Sequence, residues 1–232
     1  MKNKFNQKLI HLIEYYSLIN SNILVSEKGF RSKKIENNFK TGNNKELDLK
    51  KLKKSIEKID DHQIKPNAKN IVFGDGNTNA KLMIIGEAPG AQEDLLGIPF
   101  VGRAGKLLDK MLAAIKLSRK SVYITNVINY RPPENRKPSE DEINEYLPYL
   151  IKHIQIIDPK VILLLGSTAL NAILGSEKVI SKARGVWHRE LIGENEFWIL
   201  ASFHPAFLMR QPDQKKFAWV DLKMIKEKLK LN

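Results

Sequence analysis

The sequence predicts an α/β fold: a three-layer α/β/α arrangement around a central four-stranded parallel sheet, preceded by an N-terminal helical extension. Three observations predict it. Four short runs are almost continuously apolar: Lys81-Leu82-Met83-Ile84-Ile85, Val122-Tyr123-Ile124-Thr125-Asn126-Val127, Val161-Ile162-Leu163-Leu164-Leu165 and Phe197-Trp198-Ile199-Leu200. Strands covered on both faces lose the in-and-out alternation, so such runs suit a sheet buried between two layers. Helical spacing fills the segments between them, and strand–helix alternation implies parallel strands joined by crossovers. Directly after each run come Gly, Pro, Asn, His and Arg, at the strand ends where such sheets bind ligands.

Taken in order, Phe5, Leu9, Leu12, Ile13, Tyr16 and Ile19 recur at helical spacing and predict an amphipathic helix over 4–20. Residues 26–46 are polar, basic and turn-rich, the composition of a connector. A second helix is expected over 46–60, with Leu47, Leu49, Leu52, Ile56 and Ile59 as its apolar stripe. These elements form the extension, 1–69, and the α/β domain is set at 70–232. Within it helices are expected over 105–117, 139–158, 167–174 and 213–229. Ser139 and Ser167 are the expected N-caps, and Pro159 closes the crossover ahead of the third strand.

Composition narrows the chemistry. The 232 residues include 39 Lys and Arg against 26 Asp and Glu, a net charge of +13 that suits a polyanionic partner. An A+T-rich coding bias explains the charge equally well, since Lys outnumbers Arg by 31 to 8. Position separates the two readings: residues 1–70 hold 16 basic and 8 acidic groups, and the remainder 23 and 18. There is no cysteine, which rules out disulfides, thiolate zinc sites, a cysteine nucleophile and clusters held by Cys. None of the five His is spaced with another ligand, so no metal site is expected. No run approaches the roughly 20 apolar residues of a membrane span and no leader pattern opens the chain, so a cytoplasmic protein is expected.

The four strand-end loops carry Gly86-Glu87-Ala88-Pro89-Gly90, Asn126 with Arg131-Pro132-Pro133-Glu134-Asn135-Arg136, Gly166-Ser167, and His204-Pro205-Ala206-Phe207-Leu208-Met209-Arg210. Phosphate-loop, dinucleotide and nucleophile-elbow signatures are all missing. The residue types that remain suit an extruded base. A carboxamide such as that of Asn126 donates to a carbonyl and accepts from a ring N–H, which separates uracil from cytosine. Phe100 offers a stacking face, and His204 can stabilise charge growing on a leaving pyrimidine. Leu208 and Met209 can fill the gap left in the stack. Each residue alone also has a structural reading: His204 as a loop cap, Phe100 as core, Asn126 as a turn cap, and the arginines as solvated charges.

Two further stretches, Ala91-Gln92-Glu93-Asp94 and Gly97-Ile98-Pro99-Phe100-Val101-Gly102-Arg103-Ala104-Gly105-Lys106-Leu107-Leu108, complete a pattern. Together with Tyr123-Ile124-Thr125-Asn126-Val127, the Arg131 to Arg136 block, Gly166-Ser167, the His204 block and Trp219-Val220-Asp221-Leu222, they resemble the family 4 uracil-DNA glycosylases over residues 70–230. The resemblance implies removal of uracil from single- and double-stranded DNA by a monomeric enzyme of base excision repair. It implies that Phe100 stacks on uracil, Asn126 reads its edge and His204 contacts O2. Gly86 and Ala88 line the base, Glu87 positions water, and Glu93 walls off C5. On the DNA side it implies Leu208 as a wedge with Met209, and Arg210, Ser167, Gly102, Arg103 and Arg136 near the backbone. Competing readings are a binding module of the same fold without turnover and a glycosylase of broader deaminated-base specificity. A replication or repair partner for residues 1–69 is a further expectation.

One departure stands out. Family 4 members hold a four-iron cluster through four cysteines, and the matching positions here are Ile59, His62, Tyr130 and Tyr146. One potential ligand cannot hold a cluster, so none is expected.

Overall fold

A computed structural model describes residues 44–175 and 178–231. The helix expected over 4–20 and nearly all of the connector expected over 26–46 lie outside the described residues. The chain enters at α1 (Lys45–Glu57), capped by the Asn44 side chain, which accepts from the Leu47 N–H. A two-residue strand β1 (Asp75–Gly76) precedes β2 (Leu82–Gly86), then α2 (Ala91–Leu96) and α3 (Arg103–Ala114). Next come β3 (Tyr123–Asn126), α4 (Glu140–Ile157), β4 (Val161–Leu165), α5 (Ser167–Leu174) and α6 (Ile180–Ala183). A hairpin of β5 (Trp187–Ile192) and β6 (Asn195–Ser202) leads to α7 (Pro205–Arg210) and α8 (Lys215–Lys228).

The sheet order is β1-β3-β2-β4-β6-β5. The four expected strands are its parallel centre, and β1 and β5 are antiparallel edges that extend it to six. Every residue of β2 and β4 is buried, and the pleat sends neighbours to opposite layers. Met83, Ile85, Ile162 and Leu164 join one core with residues of α1, α4 and α5. Leu82, Ile84, Leu163 and Leu165 join the other with α3, α7 and α8. The sandwich explains why these runs show no alternation. By contrast β5 reads Trp-His-Arg-Glu-Leu-Ile, an exposed edge with no continuous apolar signal.

Ser139 caps α4 as expected, in a reciprocal capping box with Glu142. Ser167 does not cap α5: Gly166 holds the N-cap position and Ser167 is the first helical residue. The largest departure is the domain boundary. Leu49, Leu52, Ile56, Ile59 and Ile64 belong to the same core as the sheet, and residues 44–232 form one compact unit. Lys45 Nζ donates to Ile157 O at the end of α4 (2.7 Å), and the N–H groups of Lys69 and Asn70 donate to Asp94 Oδ1 (2.8 and 3.1 Å). A boundary at 69/70 therefore cuts through packed structure. Short, Lys-rich α1 looks detachable in sequence because only one face is apolar, and α4 covers that face. Among the described residues no helix is long and apolar enough to cross a membrane.

Candidate active site

Parallel strands bring their carboxyl ends to one edge, and register does the rest. Gly86 ends β2 directly opposite Asn126 at the end of β3. A Cβ on Gly86 would fall 2.4 Å from Asn126 Oδ1 and 2.5 Å from the Phe100 ring tip, so only glycine lets both side chains close over the strand end. Asn126 is 3% exposed, and among the described residues its carboxamide makes no hydrogen bond. The side chain is thus packed while its unpartnered amide remains available to a ligand entering at the strand ends.

His204 follows β6 and caps α7. Its Nδ1 accepts from the Ala206 N–H (3.2 Å), and since a backbone N–H can only donate, the neutral ring carries its proton on Nε2. Burial, helped by Arg210 and opposed by Glu93, lowers its pKa to about 4, so the ring is a neutral donor at pH 7. The cap thus uses one nitrogen and leaves the Nε2–H to a ligand. The Phe100 ring lies 5.5 Å from the imidazole, centroid to centroid, at 33°. Phe100, Asn126, His204 and Gly86 therefore converge as expected.

Around them the picture divides. The Glu87 carboxylate, at the end of β2, accepts a hydrogen bond from the Thr168 hydroxyl, and Ala88 is half-buried beside it. Thr168 was not singled out in sequence, although it adjoins Gly166-Ser167. Glu93 holds the loop after Phe100: its Oε1 accepts from the Val101 and Gly102 N–H groups (3.0 and 2.8 Å). That bond occupies the Gly102 donor expected to meet phosphate. Asp221 of the Trp219 to Leu222 block accepts from the Ser202 hydroxyl (2.6 Å) and pairs with Arg184, which fixes the end of β6 just before His204.

Two DNA-side expectations are corrected. Leu208 is 1% exposed and sits in the core with Met111 and Leu222, so it is not presented as a wedge. In sequence 204–210 reads as a loop, whereas Pro205–Arg210 form a helix that turns Leu208 inward and leaves Met209 half-buried and Arg210 exposed. Arg136 is engaged in a two-pronged pair with Glu142, Nη1 to Oε2 at 2.8 Å and Nη2 to Oε1, which raises the arginine's pKa and lowers the carboxyl's. It anchors the start of α4, so a phosphate would have to compete with Glu142 for its two Nη groups. Arg103 and Arg210 are exposed and make no hydrogen bond or ion pair among the described residues, and Ser167 is half-buried at the start of α5.

A ring face, an unpartnered carboxamide and an imidazole gathered at the carboxyl ends of a parallel sheet suit the class of enzymes that act on single bases. Comparison with known proteins gives the family. The chain belongs to the uracil-DNA glycosylase superfamily, whose profile matches residues 73–223, and within it to the type-4 family. A Type-4 uracil-DNA glycosylase of Pyrobaculum aerophilum is 39% identical over 171 residues, covering 72% of this chain and 87% of the relative. One from Archaeoglobus fulgidus is 41% identical over 178 residues, covering 75% and 87%. One from Thermotoga maritima is 42% identical over 145 residues, covering 62% and 74%.

The four residues matched in sequence to the cluster cysteines, Ile59, His62, Tyr130 and Tyr146, have chemistry that does not fit an iron–sulfur cluster. Tyr146 is fully buried on α4 and donates to Asp61 Oδ2 (2.9 Å); burial, that bond and the Asp61 charge raise its pKa. Asp61 Oδ1 in turn accepts from the Gln63 and Ile64 N–H groups (2.9 and 2.8 Å). Ile59 is buried in the core, Lys65 Nζ lies 5.1 Å over the Tyr130 ring, and the exposed His62 pairs with Asp60 at 3.2 Å. Hydrogen bonds and apolar bulk fill the region where a cluster would need sulfur. Among the described residues no group of three His, Asp or Glu is arranged to hold a metal ion.

Proposed function

We propose that the protein hydrolyses the N-glycosidic bond of deoxyuridine in DNA, releasing uracil and leaving an abasic site for base excision repair. The observation that carries this reading is the buried, unpartnered Asn126 carboxamide opposite a His204 whose Nε2–H is left to donate. Uracil extruded from the strand lies against Phe100. Asn126 donates to O4 and accepts from N3–H, while cytosine presents the reversed pair and leaves both groups unmatched. His204 donates to O2, where charge grows as the bond to C1′ breaks. One preorganised donor of this kind is worth about 3 to 4 kcal/mol. Water then adds to the oxocarbenium-like C1′, its proton passing to the departing uracil anion, with Glu87 held by Thr168 to position that water.

In this reading the enzyme works without an iron–sulfur cluster, as a cytoplasmic monomer on single- and double-stranded DNA. Arg103, Ser167, Met209 and Arg210 face the backbone, and Glu93 excludes the thymine methyl while pinning the loop after Phe100. Extrusion costs a few kcal/mol, so unpaired uracil reacts fastest.

The test is an oligonucleotide bearing one uracil, single-stranded or duplex, treated with protein and then alkali. Scission by the wild type that falls at least a hundredfold in His204→Ala and Asn126→Ala supports the reading. Binding without scission would make the protein a binding module, and stoichiometric iron with visible absorption in the purified protein would overturn the cluster-free assignment.

A further inference from the structure

Phe100 stands in an improbable backbone conformation for a large side chain, φ +54. Such a residue persists only where its surroundings over-determine it, and here they do so from three directions. On the C-terminal side, Glu93 takes the N–H groups of Val101 and Gly102. Beneath the loop, Gly105 lies so close that a Cβ would fall 1.7 Å from the Phe100 carbonyl oxygen. On the N-terminal side, the Arg119 guanidinium reaches across: Nη1 donates to Phe100 O (2.9 Å) and Nη2 to Pro99 O. Two consecutive carbonyls gripped by one planar fork leave the peptides beside Phe100 little freedom to rotate.

Arg119 is itself held. Its Nε donates to Asp75 Oδ2 (3.1 Å) and its Nη1 to Asp109 Oδ1 (3.2 Å), and its side chain is 22% exposed. Asp75 belongs to β1, which pairs with β3 at Ile124, and Arg119 itself lies in the 3₁₀ turn 119–121 that leads into β3. The strand that ends in Asn126 therefore carries the clamp that holds Phe100.

We infer that Arg119, oriented by Asp75 and Asp109, is a positioning residue that sets the Phe100 ring relative to the Asn126 edge reader. This rests on Phe100 being the uracil platform, as proposed above. Arg119 touches neither base nor phosphate in this role, so its removal changes recognition of the base and not affinity for DNA as such.

The experiment is a double-mutant cycle read in single-turnover uracil excision. Phe100→Ala alone is expected to slow excision roughly ten- to a hundredfold, the range of one lost base stack. Arg119→Ala is expected to cost a similar factor and Arg119→Lys nearly as much, since an ammonium cannot grip two carbonyls in a plane. Asp109→Asn, which leaves the fork in place, should cost less. In a Phe100→Ala background Arg119→Ala should add almost nothing. Affinity for uracil-free DNA and the thermal midpoint of Asp109→Asn should stay at wild-type values. If Phe100→Ala excises uracil normally, the platform reading fails. If Phe100→Ala is impaired but Arg119→Ala is either harmless or equally damaging in both backgrounds, the clamp is overturned while the platform stands.

Discussion

A single contact decides how His204 behaves. Because Ala206 N–H donates to Nδ1, the neutral ring is held in one tautomer, and burial keeps it unprotonated down to about pH 4. The sign follows directly: the folded-state pKa lies below the ordinary 6.5, so the neutral donor is present above about pH 5 and is lost as pH falls through 4. Excision under kcat/KM conditions is therefore expected to stay level from pH 8 to about 5.5, and a decline starting near 6.5 would show that the ring titrates as if solvated. The same protonation weakens folding below 6.5, so circular dichroism must accompany the acidic points. In sequence, His204 reads either as a loop cap or as a reacting group. The structure shows the cap, made through Nδ1, and leaves Nε2–H outside it for a ligand, a division that no spacing pattern reveals.

Elements, more than residues, separate the accurate expectations from the corrected ones. The helix over 167–174 and the four buried strands were legible because apolar periodicity reports burial directly. Helix α7 was not: six residues starting at Pro205 are too short to show a period, so Leu208 read as a loop residue free to leave. Packed against Met111 and Leu222, it is a core side chain. Leu208→Ala is expected to lower unfolding free energy by about 2 to 5 kcal/mol in urea titrations. Met209→Ala should change stability by less than about 0.5 kcal/mol while slowing excision from duplex more than from single strands. A Leu208→Ala protein of wild-type stability with a duplex-specific defect would restore Leu208 as the wedge. Edge strand β5 escaped notice because its residue types do not follow its burial: Leu191 is exposed and Glu190 half-buried, so no apolar–polar alternation shows in sequence.

At the scale of the whole molecule the question is where the folding unit begins. Five core residues between Leu49 and Ile64 put α1 and the turn after it inside the α/β unit. A chain of residues 44–232 is expected to melt cooperatively and to excise uracil, whereas residues 70–232 should show no cooperative transition by circular dichroism, having lost that layer. A well-folded 70–232 fragment would move the boundary back. Charge follows the same line: residues 1–43 carry 8 basic and 3 acidic groups, so part of the Lys excess first assigned to an extension belongs to the surface of the folded unit. By itself the sequence determined the layered α/β class, the family, the candidate residues for meeting a base and the lack of sulfur for a cluster, because each of these is written in local pattern and residue identity. Only the tertiary structure decided that Tyr146 is tied to Asp61, that Arg136 is tied to Glu142, that Leu208 is core and that Arg119 grips the Phe100 loop. These facts depend on which side chains from distant segments meet, a matter of packing geometry that local pattern does not encode.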